Sequence, residues 1–368
     1  MKLLIAAGGT GGHIFPAIAL GEALRRHHPA VEFRFLCGER ELERKLYADN
    51  GIDPIVFPAR QLGTGLVSML KGGLAAAGNL ARAAALIRRE KFDEVIGFGG
   101  YVSGPAVAAG VLLGRVTAIH EANTVPGKTN RLLAPFVTFC AINFPETASH
   151  LRARRIEIVG MPIREGLTQG ARADGLEYFD LAADRKTLLI LGGSQGAKYL
   201  YETLIQALPL LDTPKNSNLQ ILWSTGTGNH EMLEGRLRGM GLRHIQVVMR
   251  PFIDRMDLAL AVADVALARA GASSIAELLA CGVRPLLIPL PSAIYDHQTQ
   301  NANSISKLGI GEMVTEKDLN PARAAQAVEL LLSRIHGGQP PRPKEVGEDE
   351  TSASHRLASV LVSKADPR

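Results

Sequence analysis

Histidine 13 closes the run Gly8-Gly9-Thr10-Gly11-Gly12-His13, which follows the short apolar stretch Leu3-Leu4-Ile5-Ala6-Ala7. A strand that breaks into glycines and then a helix brings backbone N–H groups close to a phosphate at the positive end of the helix dipole. In the first turn of that helix, His13 is disfavoured as an imidazolium and suits the work of a general base on a hydroxyl. Capping or packing is the bland alternative for His13 on this loop alone. The pattern recurs at Leu188-Leu189-Ile190-Leu191 followed by Gly192-Gly193-Ser194-Gln195-Gly196. Gly192 minus Gly8 is 184, half of the 368 residues, which suggests two similar halves serving one ligand.

Neither loop fits the dinucleotide pattern GxGxxG or the P-loop GxxxxGK[ST], which argues against a dehydrogenase and against a P-loop enzyme. Further polar groups gather at expected strand ends. Ser103 lies in Gly97-Phe98-Gly99-Gly100-Tyr101-Val102-Ser103-Gly104-Pro105, and His120-Glu121-Ala122-Asn123 ends the next strand. Together with His13 they suit a polyhydroxylated or phosphorylated acceptor, although His120 and Glu121 can equally satisfy each other. In the second half, Ala270-Gly271-Ala272-Ser273-Ser274-Ile275-Ala276-Glu277 follows an apolar strand. Glu277 can accept hydrogen bonds from ribose hydroxyls, as the acidic residue of dinucleotide folds does, or simply complement the helix dipole. Gln298, in Asp296-His297-Gln298-Thr299-Gln300-Asn301-Ala302, can reach a sugar. No metal or cofactor is expected, since the chain has no HExxH and no DxD at a strand end. A departing diphosphate would then rely on backbone amides, a helix dipole and an arginine such as Arg164.

The elements that hold these residues read as α/β. Val-, Ile-, Leu- and Phe-rich strands alternate with Ala-rich helical stretches. Strands are expected at 2–7, 31–37, 54–57, 93–97, 116–120 and 137–142, then at 187–191, 219–223, 245–248, 264–268, 284–288 and 311–314. Near-continuous apolar strands separated by helices predict two doubly wound parallel sheets, with ligands at the carboxyl ends of the strands. A boundary is expected after Ile156–Arg164, giving domains at 1–164 and 165–336. The tail 337–368 reads as loose, with one final helix over 352–363.

Composition agrees with two domains: 368 residues exceed one usual core, with 46% hydrophobic and 21% charged residues. Cys37, Cys140 and Cys281 are far apart, which points to a reducing compartment rather than disulfides or structural zinc. The N-terminal apolar run is too short for a signal peptide, and no stretch reaches the length of a spanning helix. A soluble cytoplasmic protein is therefore expected. The net charge of +5 is uneven. Residues 1–165 hold 20 Lys/Arg against 14 Asp/Glu, and the remainder 21 against 22. A basic N-terminal half fits an anionic membrane, a nucleic acid or a phosphorylated substrate, or is a solvated surface with no partner. Around residues 66–91, apolar Leu66, Val67, Met69, Leu70 and Leu74 stand near Lys71, Arg82, Arg88, Arg89 and Lys91. Gly63, Gly65, Gly72 and Gly73 favour a flexible exposed segment there, with Leu66, Met69 and Leu70 on lipid and Lys71 on headgroups.

The set GGTGGH, GYVSGP, HEAN, GMPIR, GGSQGA, RAGASSIAE and DHQTQNA, in this order and spacing, resembles the MurG family within glycosyltransferase family 28. The resemblance covers residues 1 to about 335. It implies a GT-B fold, two Rossmann-like domains with the sugar nucleotide in the cleft. It also implies inverting transfer of N-acetylglucosamine from UDP-GlcNAc to the MurNAc 4-hydroxyl of lipid I, giving the β-1,4 link of lipid II. Family donor-binding positions fall on Thr10, Gly11, Gly12, Asn123, Arg164, Ser194, Ile253, Ala272, Ser273, Ser274, Ile275, Ala276, Glu277 and Gln298. From the residues themselves, His13 is the catalytic candidate, with another cleft group as the alternative base, and Ser103, His120 and Glu121 are expected on the acceptor side. The resemblance also implies partners: UDP-GlcNAc, lipid I, the cytoplasmic face of an anionic membrane and other cell-wall synthesis enzymes, but no nucleic acid. The chain departs from the usual family pattern at Ala122, Met161, Ala270 and within 272–277, which touches fine contacts rather than the reaction. A UDP-GlcNAc epimerase shares the same architecture, and a non-catalytic cell-wall scaffold is a third reading.

Overall fold

In the computed structural model of the chain, the described residues are 1–58, 66–192, 198–293, 296–334 and 352–365, with side chains of the long helix described from residue 76 and of the last helix to residue 363. The chain divides into two compact units, one formed by residues 1–164 with the C-terminal segment, the other by residues from Glu165 onward to Gly347.

The first unit is a seven-stranded parallel sheet. Its strands are β1 (Lys2–Ala6), β2 (Glu32–Cys37), β3 (Ile55–Val56), β4 (Glu94–Gly97), β5 (Val116–Glu121), β6 (Phe139–Ile142) and β7 (Ile156–Ile158), in the spatial order β3-β2-β1-β4-β5-β6-β7. Leu3 and Ile5 of β1 pack into one apolar layer and Leu4 and Ala6 into another, as the two-residue period of a strand buried on both faces requires. The chain order reverses between β1 and β4. There the glycine runs 8–13 and 97–104 leave the sheet side by side, at the crevice where open α/β sheets take ligands. The last helix, Ala353–Ala365, returns to this unit and packs on the helix Gly11–His27. Ser354 Oγ donates to the Ile163 carbonyl (3.1 Å) and Arg356 to the Val159 carbonyl (2.9 Å).

The second unit is a six-stranded parallel sheet. Its strands are β8 (Lys186–Leu191), β9 (Leu219–Ser224), β10 (Gln246–Arg250), β11 (Val265–Ala268), β12 (Arg284–Leu287) and β13 (Glu312–Met313), in the order β10-β9-β8-β11-β12-β13. Its switch point lies between β8 and β11, so Gly192 and the Arg269–Glu277 segment emerge at the same edge. The single tryptophan, Trp223, is buried in its core beside Tyr201.

Two expectations are corrected. Ile156–Ile158, taken only as the approach to the boundary, is an edge strand paired with β6. The segment after Leu66 is not irregular: a helix runs from Leu66 to Glu90 straight through Gly72 and Gly73, local propensity giving way to the surrounding fold. The side chains of Leu66, Val67, Met69, Leu70, Lys71 and Leu74 lie outside the described residues. Among the described residues no helix is long and apolar enough to cross a membrane, and no group of three or more His, Cys, Asp or Glu could hold a metal ion.

Candidate active site

In the first unit, Thr10 is the extended N-cap (φ −138°) of the helix Gly11–His27, and His13 occupies its first turn, half-buried. His13 Nδ1 lies 3.0 Å from the Gly8 carbonyl. A carbonyl only accepts, so Nδ1 carries a proton, and in a neutral imidazole Nε2 is then the basic nitrogen. The second glycine run presses against the first. Gly100 has φ +78°, and a Cβ there would stand 2.2 Å from the Gly8 oxygen, so only glycine lets the two loops meet.

The polar residues expected on the acceptor side turn into the scaffold. Ser103 Oγ lies 2.7 Å from the Ala6 carbonyl and also faces that of Gly99, tying the second loop to the end of β1. His120 is buried against Phe98 and donates from Nε2 to the Gly160 carbonyl at 3.0 Å. Burial holds its imidazole down at about 4, and proximity to His13 acts in the same direction, so His120 is neutral. Glu121 is buried and accepts from Asn123 N–H (3.0 Å), Asn123 Nδ2 (3.2 Å), Gly127 N–H (3.0 Å) and Asn130 Nδ2 (2.8 Å). This carboxylate folds the loop after β5 around itself and thereby aims Asn123, which is half-buried and whose carbonyl is held by Thr147 Oγ1 at 2.9 Å.

Arg164 reaches the same end of the sheet. Its guanidinium lies 4.3 Å from the centroid of Phe15, a ring that in turn covers Gly11. The stacking sets a fixed cation beside the helix N-terminus that carries Thr10, Gly11 and Gly12, a combination suited to an anionic ligand.

In the second unit, Gly271 is the extended N-cap of the helix Ala272–Ala280. Ala272 and Ile275 are buried in the sheet face of that helix, whereas Ser273, Ser274, Ala276 and Glu277 are half-buried along its first two turns. Ile253 is buried after β10. Gln298 Oε1 accepts from the Leu290 amide at 3.0 Å, drawing the helix His297–Lys307 to the loop after β12. Asp296 at the start of that helix is left-handed (φ 54°), a strained position of the kind found at ligand-binding turns. Ser194 and Gln195 lie outside the described residues.

Two residues that hold this edge together carried no expectation. Arg269, buried, donates to the carbonyls of Ile288 and Pro289 (both 3.3 Å) and pairs with Glu316. Asn301, fully buried, donates to the Ala270 carbonyl at 3.2 Å. Both stand within motifs already singled out, but nothing in a linear pattern says that their side chains face the backbone of a neighbouring loop.

Comparison with known proteins bears on the family and the fold. Residues 3–142 match the glycosyltransferase family 28 N-terminal domain and residues 187–357 its C-terminal domain. The chain is similar to the UDP-N-acetylglucosamine–N-acetylmuramyl-(pentapeptide) pyrophosphoryl-undecaprenol N-acetylglucosamine transferase of Halothermothrix orenii, with 39% identity covering 90% of this chain and 91% of that one. Among solved structures it is similar to MurG of Acinetobacter baumannii (TM-score 0.76, 27% identity, 98% and 99% of the two chains). It also superimposes on a UDP-GlcNAc 2-epimerase from Neisseria meningitidis (TM-score 0.65, 99% and 100% of the chains), but at 12% identity that likeness shows the fold alone.

Proposed function

The chain belongs to glycosyltransferase family 28, and from that membership we propose that it transfers N-acetylglucosamine from UDP-GlcNAc to the N-acetylmuramyl-(pentapeptide) pyrophosphoryl-undecaprenol acceptor, lipid I, in peptidoglycan synthesis. The observation that supports the chemistry is the 3.0 Å contact between His13 Nδ1 and the Gly8 carbonyl, which puts a proton on Nδ1 and so supports Nε2 as the base. His13 Nε2 takes the proton of the MurNAc 4-hydroxyl as that oxygen attacks the anomeric carbon. The bond from that carbon to the UDP β-phosphate oxygen breaks with inversion, and UDP departs as the anion. Attack at neutral pH needs such a base because a sugar hydroxyl is very weakly acidic, and a well-placed base is worth ~10²–10⁴ in rate.

In the same reading the second unit holds the nucleotide. Glu277 accepts from the ribose hydroxyls, Ile253 lies by the uracil, and Ser194, Ala272, Ser273, Ser274, Ile275, Ala276 and Gln298 complete the donor contacts. From the first unit Thr10, Gly11, Gly12, Asn123 and Arg164 also serve the donor, Arg164 meeting diphosphate charge that grows as the bond breaks. Ser103, His120 and Glu121 act indirectly, by holding the loops from which His13 and Asn123 project.

The acceptor's polyprenyl tail stays in a bilayer, so the first unit docks on the cytoplasmic face of the membrane. The helices Leu66–Glu90, Ser103–Leu112 and Lys128–Leu133 pack side by side, and Leu112, Leu132 and Phe136 are exposed with Lys128 and Arg131 nearby. Apolar side chains flanked by lysine and arginine suit insertion into an anionic interface, at ~1 kcal/mol per basic residue near the surface. That Leu66, Met69 and Leu70 touch lipid, with Lys71 on headgroups, is part of the same proposal.

Incubation with UDP-GlcNAc and a short-chain lipid I analogue tests the proposal. The expected product is a disaccharide-bearing acceptor plus UDP. Appearance of the UDP-ManNAc epimer without transfer would favour the epimerase reading, and neither product would favour a scaffold.

A further inference from the structure

Glu43 lies in a short helix, Glu41–Ala48, whose sequence Glu41-Leu42-Glu43-Arg44-Lys45 reads as a solvated charged face. Yet Glu43 is 0% exposed. Its Oε2 accepts from the Gly38 amide at 2.7 Å and its Oε1 from the Tyr101 hydroxyl at 3.0 Å. The same carboxylate presses on the first glycine run: a Cβ on Gly8 would stand 2.7 Å from Oε2 and 2.8 Å from Val102. Three chain segments that are distant in sequence, around Gly8, Gly38 and Tyr101, therefore close on one buried carboxyl group.

Burial of a carboxylate costs several kcal/mol unless its lone pairs are filled, so a packed scaffold alone has little reason to place one here. Tyr101 keeps its proton, since burial and then the bond to Glu43 push its hydroxyl up to about 12, and it donates at every working pH. Arg40 lies over the Tyr101 ring at 5.3 Å and steadies the same wall. The chain of contacts then runs on: Glu43 against Gly8, Gly8 oxygen to His13 Nδ1, and Gly100 closed on the Gly8 oxygen from the other side.

We propose that Glu43 is a positioning residue for His13: its carboxylate fixes the Gly8 peptide, and the Gly8 carbonyl fixes the proton on Nδ1 and the direction of Nε2. The proposal rests on the reading of His13 as the base, and it adds a group that never touches substrate.

Two readouts test it, one of them independent of activity. In ¹⁵N-histidine spectra of the full chain near pH 8, with His13 assigned by its loss in His13→Ala, the wild type should show the Nδ1–H tautomer. Glu43→Ala should show a mixture of tautomers, and its kcat should fall roughly 10- to 100-fold, as small misplacements of a catalytic group do, with the donor KM within about twofold of wild type. Glu43→Gln can still accept from Gly38 and donate to the Tyr101 oxygen, so both readouts should return close to wild type. If Glu43→Ala does not fold, Glu43→Asp, which keeps the charge but withdraws it by one methylene, is expected to show the same split more weakly. An unchanged His13 tautomer with unchanged kcat would overturn the proposal. So would a lower melting temperature with an unchanged tautomer and equal losses in the alanine and glutamine variants, which would mark Glu43 as a stabilising residue only. Absence of transfer by the wild type would refute the transferase reading, while the tautomer would still judge Glu43.

Discussion

Glu94 opens the central strand β4 at its amino-terminal end, opposite the glycine loops, is 1% exposed, and has both carboxylate oxygens buried without a hydrogen-bond partner among the described residues. Burial, reinforced by the neighbouring Asp93, pushes its carboxyl from the ordinary 4.5 up to about 7, against the pull of the N-terminal amine. The folded chain therefore holds a proton that the unfolded chain has released across the window from about 4.5 to about 7, and stability falls as pH rises through it. At pH 8 the whole difference counts, ~3 kcal/mol, whereas at pH 5 under ~1 kcal/mol of it does. Glu94→Gln removes the ionisation and keeps the shape. The amide brings its own cost of burial, about 1–3 kcal/mol, but that cost is the same at both pH values and cancels in the comparison. Urea denaturation followed by far-UV ellipticity at pH 5 and pH 8 should thus show the variant gaining on wild type by about 2–2.5 kcal/mol between the two. A pH-independent difference between variant and wild type would instead show that Glu94 is ionised and solvated in the folded protein.

Other substitutions probe the site. Glu277→Ala should raise the donor KM roughly ten- to a hundredfold in a folded protein, since a charged acceptor on hydroxyls is worth ~1.5–3 kcal/mol; an unchanged donor KM removes Glu277 from the ribose. His13→Ala should lower kcat by ~10²–10⁴ with little movement of the donor KM, and a variant that keeps most of its kcat would return His13 to a packing role. Gly100→Ala should lower the melting temperature and kcat together, because the added methyl meets the Gly8 oxygen at 2.2 Å on a backbone with φ +78°; near wild-type values would mean that the two loops part readily. Replacing Leu66, Met69 and Leu70 with Ser should abolish sedimentation with anionic vesicles and spare activity on a short-chain soluble acceptor. Full vesicle binding by that variant would put the docking face elsewhere.

The sheets were legible because a parallel strand covered on both faces must be apolar along its whole length, and runs such as Leu3–Ala7 and Leu188–Leu191 have no other economical use. β7 escaped this logic: it is three residues long at an edge, with Ile158 exposed, so no unbroken apolar run marks it. The glycine loops announced themselves through composition, and His13 through its place in the first helical turn. What composition cannot convey is the direction of a polar side chain. Ser103, His120 and Glu121 read as a substrate-facing group, yet each spends its hydrogen bonds on a neighbouring loop. Glu43 reads as solvated and is fully buried, because Gly38, Tyr101 and Gly8 arrive from segments that only the folded sheet brings together. The same holds for the last helix, whose existence follows from its residues but whose docking on the first unit does not.

The most direct test of the central claim is the structure of the product formed from UDP-GlcNAc and a soluble lipid I analogue, read by through-bond NMR at the new glycosidic link. The expected product carries N-acetylglucosamine joined in β configuration to the 4-oxygen of MurNAc. An α linkage, a different acceptor oxygen or an unmodified acceptor would contradict it.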